Sequence, residues 1–306
     1  MVEASVSAVL RKEFSTMKKT YTVIQISDPH LSGARAYNYR NWKAALEFVN
    51  AAGADLTVCT GDVVLDDPDV EDDLAYARSQ LDLLNGPWLV LPGNHDIGDS
   101  KPKPYMGQIP DKTRLAAWRK YFGEDRWNRR LGEWRLIGVN ALILDSDLPE
   151  EEEQYDWLRM IVRDDHRRPT ALFLHKPLFI DSFDEDVQSH WCVTPEGRRR
   201  LWSILEPVNI PLMVCGHTHH FRTMTVDGIT MVWAPATGHI DFNDPIPFNA
   251  LRTAGLIRYR FGPNGVEYGL VIPEGMATWN AAEVIRDNGS MRNAPLLYPE
   301  TVMEGP

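Results

Sequence analysis

The stretch YTVIQISDPH, residues 21–30, is an apolar run that ends in an aspartate and a histidine. Its first seven residues are rich in β-branched and aromatic types, which predicts a buried strand. The same arrangement, a short apolar run followed directly by a polar residue, recurs along the chain. The further strand-like runs are DLTVCT (55–60), WLVLP (88–92), EWRLIGVNALIL (133–144), TALFLH (170–175) and PLMVC (211–215).

Segments of helical periodicity separate these strands. Apolar residues recur at helical spacing from Trp42 to Val49 and from Leu74 to Leu84. Residues 151–162 form a further helix whose acidic first turn suits the positive end of the helix dipole. Thr194 and Pro195 fit the N-cap and first position of another helix. This alternation predicts an α/β domain.

The C-terminal third of the sequence changes to antiparallel hairpins. Asp227-Gly228 and Pro263-Asn264-Gly265 each separate two strand-like runs, as turn residues with positive φ do. A single domain with a mixed sheet system over residues 21–272 is the simplest interpretation. Residues 1–20 are expected to be a poorly ordered leader. Residues 273–306 are expected to be an irregular tail packed on the domain or on a partner chain.

Composition restricts the function classes. The net charge of −11 argues against binding of nucleic acid polymers, whose phosphates attract basic surfaces. No run reaches the roughly 18 apolar residues of a membrane span, and the N-terminus lacks a basic region typical of a signal peptide. Three cysteines form no even disulfide framework, so a reducing compartment and a cytoplasmic location are expected.

Most of the predicted strands end in residue types that bind metals. In open α/β sheets the carboxyl ends of the strands meet at one edge, so these residues should gather there. Taken singly, each has a simpler explanation, such as a turn, a helix cap or a buried histidine; GNHD (93–96) alone could be a polar turn. The residues concerned are Asp28, His30, Asp62, Asn94, His95, His175, His217 and His219.

The segment GHTHH, residues 216–220, supports a metal site further. In an extended segment His217 and His219 would face the same way and His220 would face away. Aspartate, asparagine and histidine ligands without cysteine suit Mn, Fe, Zn or Co. There are more ligands than one ion needs, and two ions that share a carboxylate would use them all.

The order D-x-H, GD, GNH[DE], H and GHxH resembles that of the calcineurin-like metallophosphoesterases. The similarity extends from Tyr21 to Ala236. It is most marked for the bacterial class III cyclic-nucleotide phosphodiesterases and related glycerophosphodiesterases, through ISDPHL, TGDVV and LPGNHD. The resemblance implies a four-layer α-β-β-α sandwich with mixed sheets and a metal site at the carboxyl ends of the strands.

The resemblance also implies roles for individual residues. One metal would be held by Asp28, His30, Asp62 and His219, and the second by Asp62, Asn94, His175 and His217. His95 would face the leaving-group oxygen. Asp96 either orients His95 or caps the following segment. Candidate substrate contacts are Arg40, His190 in the loop 176–191, and His239, whereas the acidic run 66–73 is expected to be solvated.

A site with two ions suits hydrolysis of small phosphate esters by in-line attack of a metal-bridging hydroxide. The leading hypothesis is a phosphodiesterase, with cyclic nucleotides as the specific substrates. A phosphomonoesterase, a glycerophosphodiesterase, a non-catalytic metal-binding scaffold and a metal-dependent amidohydrolase remain alternatives. The last class usually has H-x-H on its first strand, where this chain has D-x-H. Trp279 and the apolar APLLYP near the end also allow a homodimer.

Overall fold

A computed structural model describes residues 19–100, 107–163, 165–186, 188–241 and 249–303. The predicted leader lies outside these residues except for Lys19 and Thr20. The strands are β1 (Tyr21–Ile26), β2 (Leu56–Cys59), β3 (Trp88–Val90), β4 (Trp127–Leu131), β5 (Trp134–Gly138), β6 (Thr170–Phe173), β7 (Leu212–Cys215), β8 (Arg222–Val226), β9 (Ile229–Trp233), β10 (Leu256–Gly262) and β11 (Gly265–Val271).

The α-helices connect and follow these strands. They are α1 (Tyr39–Ala52), α2 (Glu71–Leu81), α3 (Asn94–Ile97), α4 (Lys112–Phe122), α5 (Pro149–Arg163), α6 (Pro195–Leu205), α7 (Ala282–Asn288) and α8 (Pro299–Met303). Short 3₁₀ helices cover Ala141–Ile143 and Met291–Asn293. In the part of the chain that the structure describes, no helix is both long and apolar enough to cross a membrane.

The strands form two mixed sheets. The first sheet has the order β11-β10-β1-β2-β3, in which β1, β2 and β3 are parallel, β10 is antiparallel to β1, and β11 is antiparallel to β10. The second has the order β4-β5-β6-β7-β9-β8, in which β5, β6, β7 and β9 are parallel and the outer strands are antiparallel. The predicted α/β fold with mixed sheets is therefore confirmed.

Two apolar clusters reveal the order of the layers. Successive side chains of a strand point to opposite faces of its sheet. Val23 of β1 and Phe173 of β6 belong to one cluster, which draws its residues from both sheets and so marks their face-to-face packing. The adjacent Ile24 lies in the other cluster together with Trp42 of α1. Helices thus cover the outer faces of the two stacked sheets.

Several local features differ from the sequence-based expectation. The run 133–144 is a strand only to Gly138, and its second half turns into a buried 3₁₀ helix because Asn140 caps that turn with its side chain. Strand β4 and helix α4 were not predicted, since neither has a strong apolar period. The tail is not wholly irregular, because it contains α7 and α8. In the β8–β9 hairpin Asp227 and Gly228 do have positive φ, as predicted.

Candidate metal centre

The polar residues that follow the strands come together at one edge of the sandwich. Strands β1, β2 and β3 of the first sheet and β6 and β7 of the second all deliver residues to this cluster. The two sheets therefore share one site, at the carboxyl ends of the parallel strands, as the sequence predicted. The buried members are Asp28, His30, Asp62, Asn94 and His175, and the half-buried members are His95, His217 and His219.

Most of these residues have an unusual backbone conformation. The φ angle is 51° at Asp28, 47° at His30, 51° at Asp62, 68° at His217 and 54° at His219. Residues other than glycine rarely adopt this left-handed region, because their Cβ atom crowds the backbone. The sequence suggested that His217 and His219 lie in an extended segment and face the same way. Their positive φ angles show that the segment is not extended. Such strain persists where the surrounding structure enforces it, and it concentrates at functional sites.

Glycines next to the ligand-type residues allow close packing. A Cβ atom at Gly93 would overlap the carboxylate of Asp62, and one at Gly216 would overlap the side chain of Ser27. Gly93 has φ −107°, which other residues also adopt. A glycine is needed there because a side chain would prevent the close approach of two loops. Gly93 therefore allows the loops after β2 and β3 to touch, and Gly216 allows the same for the loops after β7 and β1.

One group of donor atoms surrounds the space between β1, β2 and β7. His30 Nε2 lies 3.0 Å from His219 Nε2 and 3.8 Å from Asp62 Oδ2. His219 Nε2 lies 3.5 Å from Asp28 Oδ1. One donor atom from each of these four residues lies within 4.8 Å of the others.

A second group shares Asp62 with the first. Asp62 Oδ2 lies 3.4 Å from His175 Nε2, which in turn lies 3.1 Å from Asn94 Oδ1. A donor atom of His217 lies within 4.8 Å of those of Asp62 and His175. The two groups therefore have one carboxylate in common.

Backbone carbonyl groups orient the imidazoles. His30 Nδ1 lies 3.0 Å from the carbonyl of Leu65, and His175 Nδ1 lies 2.7 Å from that of Thr60. A carbonyl only accepts hydrogen bonds, so Nδ1 donates in each case, and Nε2 faces the cluster as the nitrogen that could bind a metal ion. Metal-binding histidines commonly have such a partner on the second nitrogen.

His217 is oriented in the opposite sense. Its Nε2 donates to the carbonyl of His190 at 2.8 Å, which leaves Nδ1 for the cluster. His190, a predicted substrate contact, thus reaches the site through its main chain, while its ring packs at a tilt against that of Trp191 with centroids 4.4 Å apart.

Burial and neighbouring charges shift the pKa values of the residues in the cluster. Burial would raise the pKa of Asp62, but His175 and His95 outweigh it and hold that pKa well below the usual range. Burial, helped by His95, lowers the pKa of His30 to about 3. Burial also acts to lower the pKa of His175, but Asp62 raises it to about 9. Metal ligands must carry no proton, so Asp62 and His30 are already in the metal-binding state, whereas His175 would release a proton when a metal ion binds.

His95 lies at the rim of this cluster. Its backbone N–H donates to Asp62 Oδ1 at 2.8 Å, and its Nε2 lies 3.9 Å from Asp62 Oδ2. Its Nδ1 lies 3.6 Å from Asp66 Oδ1. The side chain is 15% exposed, whereas that of His175 is fully buried, so His95 can meet a bound molecule.

Asp96 points away from the imidazole of His95 and toward backbone. Its carboxylate accepts from the N–H groups of Gly93 at 2.7 Å, Val64 at 3.0 Å and Val63 at 3.2 Å. Burial, with Asp62, raises the pKa of Asp96 to about 7, and the N–H donors from Val64 and Gly93 oppose this rise. This geometry matches the capping alternative, because it joins the loops after β2 and β3.

His239 lies against the cluster, and Arg40 lies at the start of α1. The ring of His239 lies 4.9 Å from that of His30 and 5.1 Å from that of His219, and its Nδ1 lies 3.2 Å from Asn38 Nδ2. Arg40 is exposed in the first turn of α1. The loop that follows β9 therefore contributes to the site.

The acidic run 66–73 is not simply a solvated loop. Asp66 and Asp67 are 3% and 2% exposed, and Asp66 Oδ1 lies 3.6 Å from Nδ1 of His95. Sequence reasoning missed Asp66 as a site residue. The available signal was its position just after the apolar VVL that follows Gly61-Asp62.

The donor set fits metal ions. Ligands about 2.1 Å from a common ion stand roughly 3.0–3.5 Å apart, and several donor separations here lie in this range. Nitrogen and oxygen donors without sulfur suit borderline divalent ions. The site therefore could hold metal, through the two groups of residues that share Asp62.

Comparison with known proteins agrees with this chemistry. Residues 21–221 match the family described as Calcineurin-like phosphoesterase. A probable cyclic nucleotide phosphodiesterase of Moraxella catarrhalis (strain BBH18) is 22% identical over 220 residues, which cover 68% of this chain and 75% of that protein. The probable glycerophosphodiester phosphodiesterase GpdQ of Arcobacter nitrofigilis is 26% identical over 230 residues, or 71% and 78% of the two chains.

A solved structure shares the fold at much lower identity. GAP50, described as the anchor in the inner membrane complex of Plasmodium, superposes with a TM-score of 0.62 at 11% identity and covers 85% of this chain and 87% of its own. Similarity at this level establishes the fold alone, so function has to be argued from the residues of the site.

Proposed function

Because this chain belongs to the calcineurin-like phosphoesterase family, we propose that it is a phosphodiesterase with two metal ions that hydrolyses small diesters, with cyclic nucleotides as specific substrates. The observation that carries the proposal is the pair of donor groups that share Asp62. The two relatives described above match over two thirds or more of this chain, and both are named as phosphodiesterases.

Each donor group is assigned one ion. Two such ions, when bound, supply Lewis acidity to the phosphoryl oxygens and acidify a water molecule that can act as the nucleophile. Nitrogen and oxygen donors favour Mn, Fe, Zn or Co. The first ion is assigned to Asp28, His30, Asp62 and His219, and the second to Asp62, Asn94, His175 and His217.

The imidazole of His95 is the group that serves the leaving oxygen. It borders the shared carboxylate of Asp62, remains partly exposed and lies beside Asp66. From this place it can stabilise or protonate a departing alkoxide. Asp96 is assigned a positioning role, since its carboxylate accepts from the N–H of Gly93, which precedes Asn94, and from that of Val63, which follows Asp62.

The substrate contacts are assigned to His239 and to the loop that contains His190. Burial lowers the pKa of His239 well below the usual range, with the neighbouring histidines acting in the same direction. A neutral imidazole can accept or donate one hydrogen bond to a phosphate or sugar group. Arg40, exposed in the first turn of α1, is a further candidate contact for the substrate.

The cysteines and the net charge of the chain bear on its compartment and on its class of substrate. Cys59, Cys192 and Cys215 are free and buried, which suits the reducing conditions of the cytoplasm. The net charge of −11 disfavours nucleic acid polymers as substrates. A homodimer remains compatible with this function, and native mass spectrometry would measure it.

The experiment measures metal content and turnover together. The purified protein is assayed for metal per chain, and a cyclic nucleotide, a linear diester and a monoester are offered with added Mn²⁺ or Zn²⁺. We expect about two ions per chain and the fastest turnover for a diester. Less than one activating ion with no turnover of any ester would contradict the enzyme function and leave the scaffold alternative. Turnover of the monoester alone would replace the phosphodiesterase by a phosphomonoesterase.

A further inference from the structure

The C-terminal arm, residues 276–297, lies outside the part of the chain that matches the family, yet it touches loops that carry site residues. Next to the loop after β1, the N–H of Ala36 donates to the carbonyl of Leu297 at 2.6 Å, and that of Leu297 donates to Ala34 at 2.9 Å. The arm is thus paired by backbone hydrogen bonds to the loop that follows Asp28 and His30.

The arm also pairs with the loop that carries His239. The N–H of Ile240 donates to the carbonyl of Trp279 at 3.0 Å, and the N–H of Ala281 donates back to Ile240 at 3.0 Å. The indole N–H of Trp279 donates to the carbonyl of Gly238 at 3.0 Å, and its ring lies 5.4 Å from that of His239.

The third contact reaches the loop after β2. The backbone N–H of Arg292 donates to Asp66 Oδ2 at 2.8 Å, and the Arg292 guanidinium pairs with Asp67 Oδ2 at 2.5 Å. Leu65, Ala281 and Met291 pack beside this junction in a small apolar cluster. The arm therefore donates a backbone hydrogen bond to the buried carboxylate of Asp66 and packs against the adjacent Leu65.

The two oxygens of Asp66 join the arm to the proposed catalytic histidine. Oδ2 accepts from Arg292, while Oδ1 lies 3.6 Å from His95 Nδ1. At this separation the carboxylate limits the orientations that the imidazole can adopt. Because the carboxylate is 3% exposed, water screens this interaction only weakly.

We propose that the C-terminal arm is a positioning element of the active site, which holds Asp66 and thereby directs the imidazole of His95 toward the leaving group. The inference rests on the proposed function. Asp66 and Arg292 are positioning residues, since they act through His95. The contribution should be largest for esters whose leaving group is a poor one, because an alkoxide needs stabilisation and a nitrophenolate does not.

The test compares two esters in the full-length protein loaded with Mn²⁺. One is bis(p-nitrophenyl) phosphate, which has a good leaving group, and the other is a dialkyl phosphodiester, which has a poor one. Asp66→Asn keeps an acceptor for Arg292 but removes the charge beside His95. Arg292→Ala removes the ion pair with Asp67 and leaves the backbone donor in place. Arg159→Ala, which removes an exposed ion pair with Asp156 on α5, is the matched control.

We expect Asp66→Asn to lower kcat for the alkyl ester by about 10–100-fold, and kcat for the nitrophenyl ester by less than about 3-fold, with KM and metal per chain unchanged. Arg292→Ala should show the same preference with a loss of about 3–10-fold. Arg292 is half exposed, so this variant keeps the test valid even if Asp66→Asn does not fold.

The outcomes separate this inference from the proposed function. Equal losses on both esters, loss of metal, or unchanged turnover in both variants would overturn the inference while the wild-type activity stands. Absence of turnover by the wild-type protein would overturn the proposed function and this inference with it.

Discussion

Asp62 Oδ2 lies 3.4 Å from His175 Nε2, although Asp62 follows a strand of the first sheet and His175 follows a strand of the second. The candidate metal centre therefore lies across the junction of the two sheets. Any change in how the sheets pack alters the distance between its donors, so metal binding reports on the tertiary structure.

Asp62→Asn should remove most bound metal, because both donor groups use this carboxylate. Asparagine tolerates the left-handed backbone at this position and offers only one neutral oxygen. We expect metal content to fall from about two ions to less than one per chain, measured by plasma mass spectrometry. Asp227→Asn is the control, since Asp227 has a similar φ in an exposed hairpin turn. Full metal content in Asp62→Asn would exclude a shared carboxylate.

His95→Ala should keep the metal and lose most of the turnover. Its imidazole lies beside the donor groups without belonging to them, so removal should cost about 10²–10⁴-fold in kcat. Metal content and turnover of an alkyl diester are the measurements. His166→Ala, at an exposed position, serves as control. If His95→Ala lost metal instead, the role of His95 would be that of a ligand.

Gly93→Ala should weaken metal binding through the backbone. The added Cβ would overlap the Asp62 carboxylate and push apart the loops after β2 and β3. We expect a metal Kd at least about 10-fold weaker, measured by titration calorimetry. Gly269→Ala, on the exposed strand β11 with open space around it, should bind metal as the wild type does. An unchanged Kd in Gly93→Ala would show that the loops can separate without disturbing Asp62.

Lys176→Met should destabilise the fold. Lys176 Nζ lies 2.7 Å from Asp99 Oδ1, with side chains 0% and 3% exposed, so the substitution leaves an uncompensated buried carboxylate. Breaking such a pair costs about 3–5 kcal/mol in the free energy of unfolding. Urea denaturation measures it. Lys43→Met, which breaks an exposed pair with Glu47, is the control and should change stability little.

The double variant Lys176→Met with Asp99→Leu makes this test specific. It removes both charges, so it should recover part of the lost stability. If the double variant were as unstable as the sum of the two single variants, the ion pair would not be the cause.

Much of the candidate site was predictable from the sequence because strand ends are local features. An apolar run followed by Asp, Asn or His marks both the strand and the residue at its carboxyl end, and parallel strands bring such ends to one edge. This reasoning assembled Asp28, Asp62 and His175 from segments far apart in the chain. It also placed His239 near the edge of the site.

Other features depend on contacts that no local pattern records. His217 and His219 have positive φ angles, so the extended segment that the sequence suggested was the wrong geometry for them. Asp96 has the right chemistry for a partner of His95 but is engaged by backbone N–H groups.

The sequence by itself determined the α/β class, the strands, and the residue types that could bind metal, because hydrophobic periodicity and strand ends are set by neighbouring residues. Only the tertiary structure decided which residues meet. Asp66 and Arg292 are 226 positions apart, and their hydrogen bond exists because the arm folds back over the loops of the site. Such a contact depends on the packing of whole elements, which short stretches of sequence do not encode.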